Sequence, residues 1–372
     1  MAAQTVGTDV FVVGGGPAGL AAAVAARRRG LSVTVADGAV PPIDKACGEG
    51  LLPAALEALR ELGVSVFPSD GYCLRGICFF HRAEHASGQF PIGAGLGIRR
   101  TVLHQRLTSM AESSGVRLLW RTPVLGISRG GVQLPGYFMK ARWIVGADGG
   151  GSRVRQWAGL AARSPKSQRF ANRRHFRLSP WSEYVEIYWQ GATQAYVTPV
   201  SSNEVCVVVL GETPEAAEFD SFLENCSPLR ARLTGAQTIG KERGASTRMH
   251  SISAPVSGNI ALVGDASGGV DAITGEGLRL AFRQAIALAD ALANGDIRPY
   301  AALHRKLTRR PMLTGALLLT LGRNERIRTR AIRMLANRPP LFGRMLALHS
   351  GEADLKSLLT AGLHVGLGLL TT

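Results

Sequence analysis

The run VFVVGGGPAGLAAAVAARRRG, from Val10 to Gly30, constrains the chain more than any other stretch. A β-branched strand that ends on three glycines and passes at once into an alanine-rich segment reads as strand, tight turn and helix. Pro17 suits a first helical turn, Arg27, Arg28 and Arg29 sit where a helix C-terminus favours cations, and Gly30 is the stop. A second strand, SVTVAD, ends in Asp37, 18 residues after Gly19, the βαβ spacing at which a carboxylate meets a ribose hydroxyl. Gly14 is expected to permit the turn, Gly16 to let the backbone approach a pyrophosphate, and Gly19 to allow close helix packing. The helix opening at Pro17 and Ala18 offers its free N–H groups to the same ligand. A dinucleotide is implied, and these residues alone leave NAD and FAD open.

Two later stretches repeat the pattern of a carboxylate at the C-terminal end of a strand, the ligand-binding edge of an open α/β sheet. ARWIVGADGGGSRVR (Ala141 to Arg155) reaches Asp148 and Gly149, with Ser152 and Arg155 following. NIALVGDASGGVDAITGEGLRLAFRQA (Asn259 to Ala285) reaches Gly264 and Asp265, then a small-residue loop and a helix expected to start near Thr274.

The fingerprint, the DG pair and the GD pair, in this order, resemble those of the FAD-dependent aromatic hydroxylases and geranylgeranyl reductases over roughly residues 8 to 300. The resemblance implies FAD as the tightly held cofactor and NAD(P)H as a transient reductant, for which no second fingerprint is visible. It implies that Asp265 contacts the ribityl chain and that Asp148, Gly149 and Arg155 support FAD and nicotinamide. Arg100, in RRTVLHQRL, matches the arginine of a helix-opening pattern near the FAD phosphates; that pattern's aspartate is His104 here, so only Arg100 is carried over. KACGEG (Lys45 to Gly50) resembles the reductase branch, with Lys45 and Gly48 beside the cofactor and Cys47 either tuning the flavin or serving as a small apolar residue. TGEGL looks like the same branch; N–H groups around Gly275, Glu276 and Gly277 would face the flavin's pyrimidine edge. Asp271 is a candidate proton-handling group or a helix-start carboxylate. The reductases' Tyr-x-Trp-x-Phe-Pro pattern reads AYVTPV here, keeping Tyr196 and Pro199 alone.

Period-two segments near 72 to 82, at 184 to 189 and at 204 to 210 predict an antiparallel sheet inserted into the FAD domain. The expected fold is α/β: a Rossmann-like FAD-binding domain (1–66, 96–165 and 245–300), an inserted antiparallel-sheet substrate domain (67–95 and 166–244), and a basic helical C-terminal segment (301–372). Tyr188, Trp189, Tyr196 and Pro199 are candidate pocket walls, with sheet packing as the alternative.

Composition bounds the partners. Five scattered cysteines point to neither a disulfide framework nor a zinc site, and a cytoplasmic protein is expected. No secretory leader is visible, and no apolar run reaches the ~18 residues that a span requires. Of the formal charge of +16, much sits between Arg298 and Arg344, where twelve Arg or Lys face the single Glu325. No aromatic residues interleave with that basic segment as a nucleic-acid platform needs; a solvated face, a peripheral membrane contact or an anionic carrier remain for it. The function read first is an NAD(P)H-dependent FAD monooxygenase acting on a hydrophobic aromatic or polyketide-like small molecule. The alternatives are a geranylgeranyl-reductase-like enzyme saturating isoprenoid or other alkene double bonds, and a flavin-binding scaffold without catalysis.

Overall fold

The first strand, Gly7–Val13, organises the molecule: it runs parallel to Val33–Ala36 on one side and to Tyr137–Gly146 on the other. The computed structural model describes residues 7–160 and 167–350; the expected boundaries at residue 1, near 165 and at 372 fall outside them. The sheet order is Val256–Ser257, Ile260–Leu262, Tyr137–Gly146, Gly7–Val13, Val33–Ala36 and Arg117–Leu119, with a small hairpin added on the long strand. Val10 to Val12 are fully buried because both faces of this sheet are covered. The helix Pro17–Arg28 covers one face. Its small side chains, Ala21 to Ala26, let it lie close to the helix Gly277–Ala293, so the two ends of the chain's dinucleotide half share one core.

A second sheet stands over the C-terminal edge of the first: Gln237–Met249, Ser167–Arg177, Glu204–Gly211, Thr193–Ser201, Tyr184–Gln190, Gly76–His81 and Glu84–Gln89. All of its pairings among the described residues are antiparallel except one: Tyr184–Gln190 runs parallel to Gly76–His81. The expected all-antiparallel sheet is corrected there, because the edge hairpin arrives from far upstream in the chain and enters from the other side. The segment near 72 to 82, expected as one strand, is two. Gly71–Leu74 joins a three-stranded sheet with Gly95–Ile98 and Gly50–Leu51, and Gly76–His81 joins the large one. Gly76 makes the second pairing possible, since a Cβ there would lie 2.0 Å from the Gly88 carbonyl oxygen.

The basic C-terminal segment is helical as expected, in Arg298–Arg323, Glu325–Asn337 and Pro339–Ser350. Ile332, Leu335, Leu341 and Phe342 seal the second sheet against Leu74, Ile77 and Trp189. No described helix is long and apolar enough to cross a membrane.

Candidate functional site

The glycine turn at the end of the first strand is held from three sides. Gly14 has φ +107° and approaches Ala147 so closely that a Cβ would lie 2.5 Å from its carbonyl oxygen; at Gly19 a Cβ would lie 1.9 Å from that of Gly14. A side chain at either position would push turn, helix and neighbouring strand apart. The Asp37 carboxylate accepts the N–H of Gly15 at 2.7 Å and that of Ala39 at 2.8 Å, so it braces the turn from the end of the second strand. His104, set aside in the sequence, completes the brace: its Nε2 lies 2.8 Å from the Gly15 carbonyl oxygen. A carbonyl only accepts, so Nε2 carries the proton, and burial lowers the ring's pKa so that it stays neutral.

A cavity of about 660 Å³ opens beside this turn, within the range of small-molecule sites. Gly14, Gly16, Pro17, Ala18, Asp37, Lys45, Cys47, Gly48, Arg100, Asp148, Gly149, Gly264, Asp265, Asp271, Gly275 and Gly277 all line it, so the sequence-selected positions converge. Their side chains differ in freedom. Asp148 accepts from Ser152 Oγ and from the N–H groups of Arg153 and Val154, which makes it a helix cap. Arg155 ties this loop to the next, donating to the carbonyls of Gly150 and Ala266. Asp265 is exposed, with Lys45 at 4.0 Å. Asp271 is buried, lines the cavity and caps the short turn Ala272–Thr274, accepting from the Ile273 N–H and from Ser167 Oγ. The main helix begins at Gly277, three residues later than expected, because that turn intervenes. Glu276 does not line the cavity and is bound by Arg279, whose Nε donates at 2.8 Å.

Away from the turn the cavity becomes apolar. Ile77, Val185, Ile187, Val208, Leu210 and Ile273 form its far wall, with Tyr196 among them. Burial raises the Tyr196 phenol's pKa, and its hydroxyl donates toward the Ile273 carbonyl at 3.4 Å. The other suggested walls lie elsewhere. Tyr188 is on the opposite face of its strand, stacked on Phe80 and donating to Glu186; Trp189 packs against Phe79 and Arg328; Pro199 is absent from the lining. Alternation along Tyr184–Gln190 turns Val185 and Ile187 inward, and the aromatic residues after them meet the C-terminal helices or the outer face.

Glu49, unselected in the sequence, lines the cavity and binds three partners. Its carboxylate accepts from the Arg100 N–H and Arg173 Nη1, each at 3.0 Å, and from His175 Nε2 at 2.7 Å. Arg173 also grips Asp44 with two bonds of 2.8 Å. Burial pushes the Asp44 carboxyl up, but Arg173 and Arg243 outweigh it and hold the pKa at about 2. Arg99 Nη1 lies 2.6 Å from His175 Nδ1; a guanidinium only donates, so the His175 proton is on Nε2. Glu49, His175 and Cys206 come close enough to suggest a metal cluster, yet the guanidiniums of Arg99 and Arg173 already occupy its acceptors. The available signal was the strand SQRFANRRHFR, in which Arg169, Arg173 and His175 share one face and all are buried.

Among known proteins, the family described as FAD binding domain matches residues 7–295. The menaquinone reductase of Mycolicibacterium smegmatis is 28% identical over 357 residues, covering 85% of each chain. The digeranylgeranylglycerophospholipid reductase of Methanocaldococcus jannaschii is 25% identical over 296 residues, covering 73% of each. The flavoprotein/dehydrogenase of Cytophaga hutchinsonii shares the fold, with a TM-score of 0.81 at 19% identity over 92% of each chain.

The residues present fit FAD. At Gly16, Gly48, Gly275 and Gly277, all on the cavity wall, a Cβ would meet nothing within 4 Å, leaving a cradle bare of side chains. Arg100 lines the same cavity with a buried Nε that has no partner among the described residues, a donor suited to a phosphate oxygen.

Proposed function

This chain belongs to the FAD binding domain family, and from that premise we propose that it is an FAD-dependent reductase of carbon–carbon double bonds in an apolar, isoprenoid-like chain. One observation carries the reading. A single cavity runs from the glycine turn to a wall of Ile77, Val185, Ile187, Val208, Leu210 and Ile273, so a branched hydrocarbon could lie against aliphatic side chains beside the cofactor site. Two relatives are named for reductions of isoprenoid lipids, and each covers about three quarters or more of its own length, which supports a reductase over the hydroxylase read first from sequence.

In this reading Asp37 and His104 hold the pyrophosphate turn, Arg100 faces the phosphates, and Lys45 and Asp265 meet the polar part of the cofactor. The Gly275 N–H is spent on the Ala272 carbonyl, so it is the Gly277 N–H, at the start of the main helix, that would face negative charge at the ring system. Bound FAD supplies two-electron redox chemistry, with NAD(P)H as the proposed reductant. The aliphatic wall would exclude water and seat the alkene, and Cys47, on the KACGEG loop, lines the same cavity. Reduction of the double bond consumes two electrons and two protons.

The test is a single turnover of chemically reduced protein with geranylgeraniol, without and with oxygen, read by product mass. The expected product gains two hydrogens per double bond and forms without oxygen. A product that gains an oxygen atom and forms only in air would overturn the reductase reading in favour of the hydroxylase.

A further inference from the structure

We infer that the outer face of the long helix Arg298–Arg323 docks this protein on an anionic lipid bilayer. Lys306, Arg309, Leu313, Ala316, Leu317 and Thr320 recur at the spacing of a single helical face, and all are exposed. Leu313 and Leu317 are 64% and 54% exposed, one turn apart, with Leu303 and Arg305 flanking the basic end. The helix forms ion pairs near its two ends, Arg298 with Asp296 and Arg323 with Glu212. Between them Arg305, Lys306, Arg309 and Arg310 form none among the described residues. Cations without partners beside bare leucines, on a helix that cannot span, match an interfacial helix: leucines enter the acyl boundary and the cations stay at headgroup level.

Charge favours a bilayer over a small anion. Of the twelve cations from Arg298 to Arg344, Arg298, Arg323 and Arg333 pair with Asp296, Glu212 and Glu84 and Arg328 is buried, while Arg305, Lys306, Arg309 and Arg310 form a patch of one sign, without ion-pair partners among the described residues, on the same helix as the leucines. Position adds a reason. On the helix's inner face a Cβ at Gly315 would lie 3.4 Å from Thr274 and 3.9 Å from Asp271, and both of these line the cavity. A bilayer against the outer face would therefore lie about one helix diameter, ~10–12 Å, from the cavity. The purpose of the contact, access to a lipid-dissolved substrate, rests on the reductase reading; the surface itself does not.

The experiment is co-sedimentation of the holoprotein with vesicles of phosphatidylcholine alone or with one third phosphatidylglycerol, at low and high salt. Binding is expected to anionic vesicles, at least about ten-fold tighter than to neutral ones, and to weaken with salt. K306E/R309E is expected to lose at least about 25-fold, about five-fold for each cation removed. L313S/L317S is expected to lose the binding that survives high salt. Both variants should keep their flavin, since neither touches the cavity. Absence of vesicle binding, equal affinity for neutral vesicles, or unchanged binding by both variants would overturn the inference, as would capture by an acidic protein without capture by vesicles. Vesicle binding that persists while geranylgeraniol goes unreduced would leave the docking surface standing and the reductase reading fallen.

Discussion

Glu49 sits in the left-handed region at φ +56°, a conformation that costs a residue with a Cβ of order 1 kcal/mol or more. The reason lies in its carboxylate, which from that backbone reaches Arg100, Arg173 and His175 together. Arg173, Asp44 and Glu49 thus pin both ends of the loop that carries Lys45, Cys47 and Gly48 to the second sheet. Removing the cation alone leaves Glu49 buried without its strongest partner. Arg173→Met is expected to destabilise the protein by about 3–5 kcal/mol and to speed FAD loss, read by thermal melting and by flavin released on dilution. Arg173→Lys should recover part of the stability and less of the flavin retention, because the two-pronged grip on Asp44 is lost. Asp44 has a folded pKa of about 2, below its ordinary 3.8. The stability it contributes is therefore complete above about pH 4 and is lost as pH falls from there through 2. Flavin release should steepen across that window, and Asp44→Asn should flatten it.

Between elements, the helix Arg298–Arg323 supports the Gly264–Ser267 turn through one histidine. His304 Nε2 lies 2.9 Å from Ser267 Oγ, and Ser267 donates in turn to the Gly264 carbonyl. Burial holds His304 near pKa 4, below its ordinary 6.5. An unfolded chain takes up this proton first, so the contribution is complete above pH 6.5 and declines as pH falls toward 4, by about 3 kcal/mol in all. Melting temperatures of His304→Gln across that range should fall less steeply than those of the parent; equal slopes would contradict the assignment. Much of the element pattern was legible in the sequence, since strand, glycine turn and helix recur wherever a carboxylate ends a strand, and those signals are local. Glu49, His104 and His304 were not, because each acts through a partner between 37 and 126 residues away. Of the suggested pocket walls Tyr196 does line the cavity; alternation turns Tyr188 to the other face of its strand, and Trp189, which shares a face with Val185 and Ile187, meets the C-terminal helices instead.

At the scale of the whole molecule, the first sheet presents its glycine turns to a cleft and the second sheet roofs that cleft with aliphatic side chains. The C-terminal helices close the roof from outside, with Gly322 lying against Gln194 and Trp189 and Gly315 against Met249. In the proposed reaction the apolar end of this cavity seats the substrate while the glycine-lined end holds the cofactor. Ala171 lines the cavity on the second sheet, distant in sequence from the glycine turns and half-buried. Ala171→Phe would fill the apolar end without touching the cofactor end. The measurement is the rate of geranylgeraniol reduction by chemically reduced Ala171→Phe protein, with flavin content determined on the same sample. Full flavin content with a rate at least about ten-fold lower is the predicted result. An unchanged rate at full flavin content would contradict the claim that the substrate lies there.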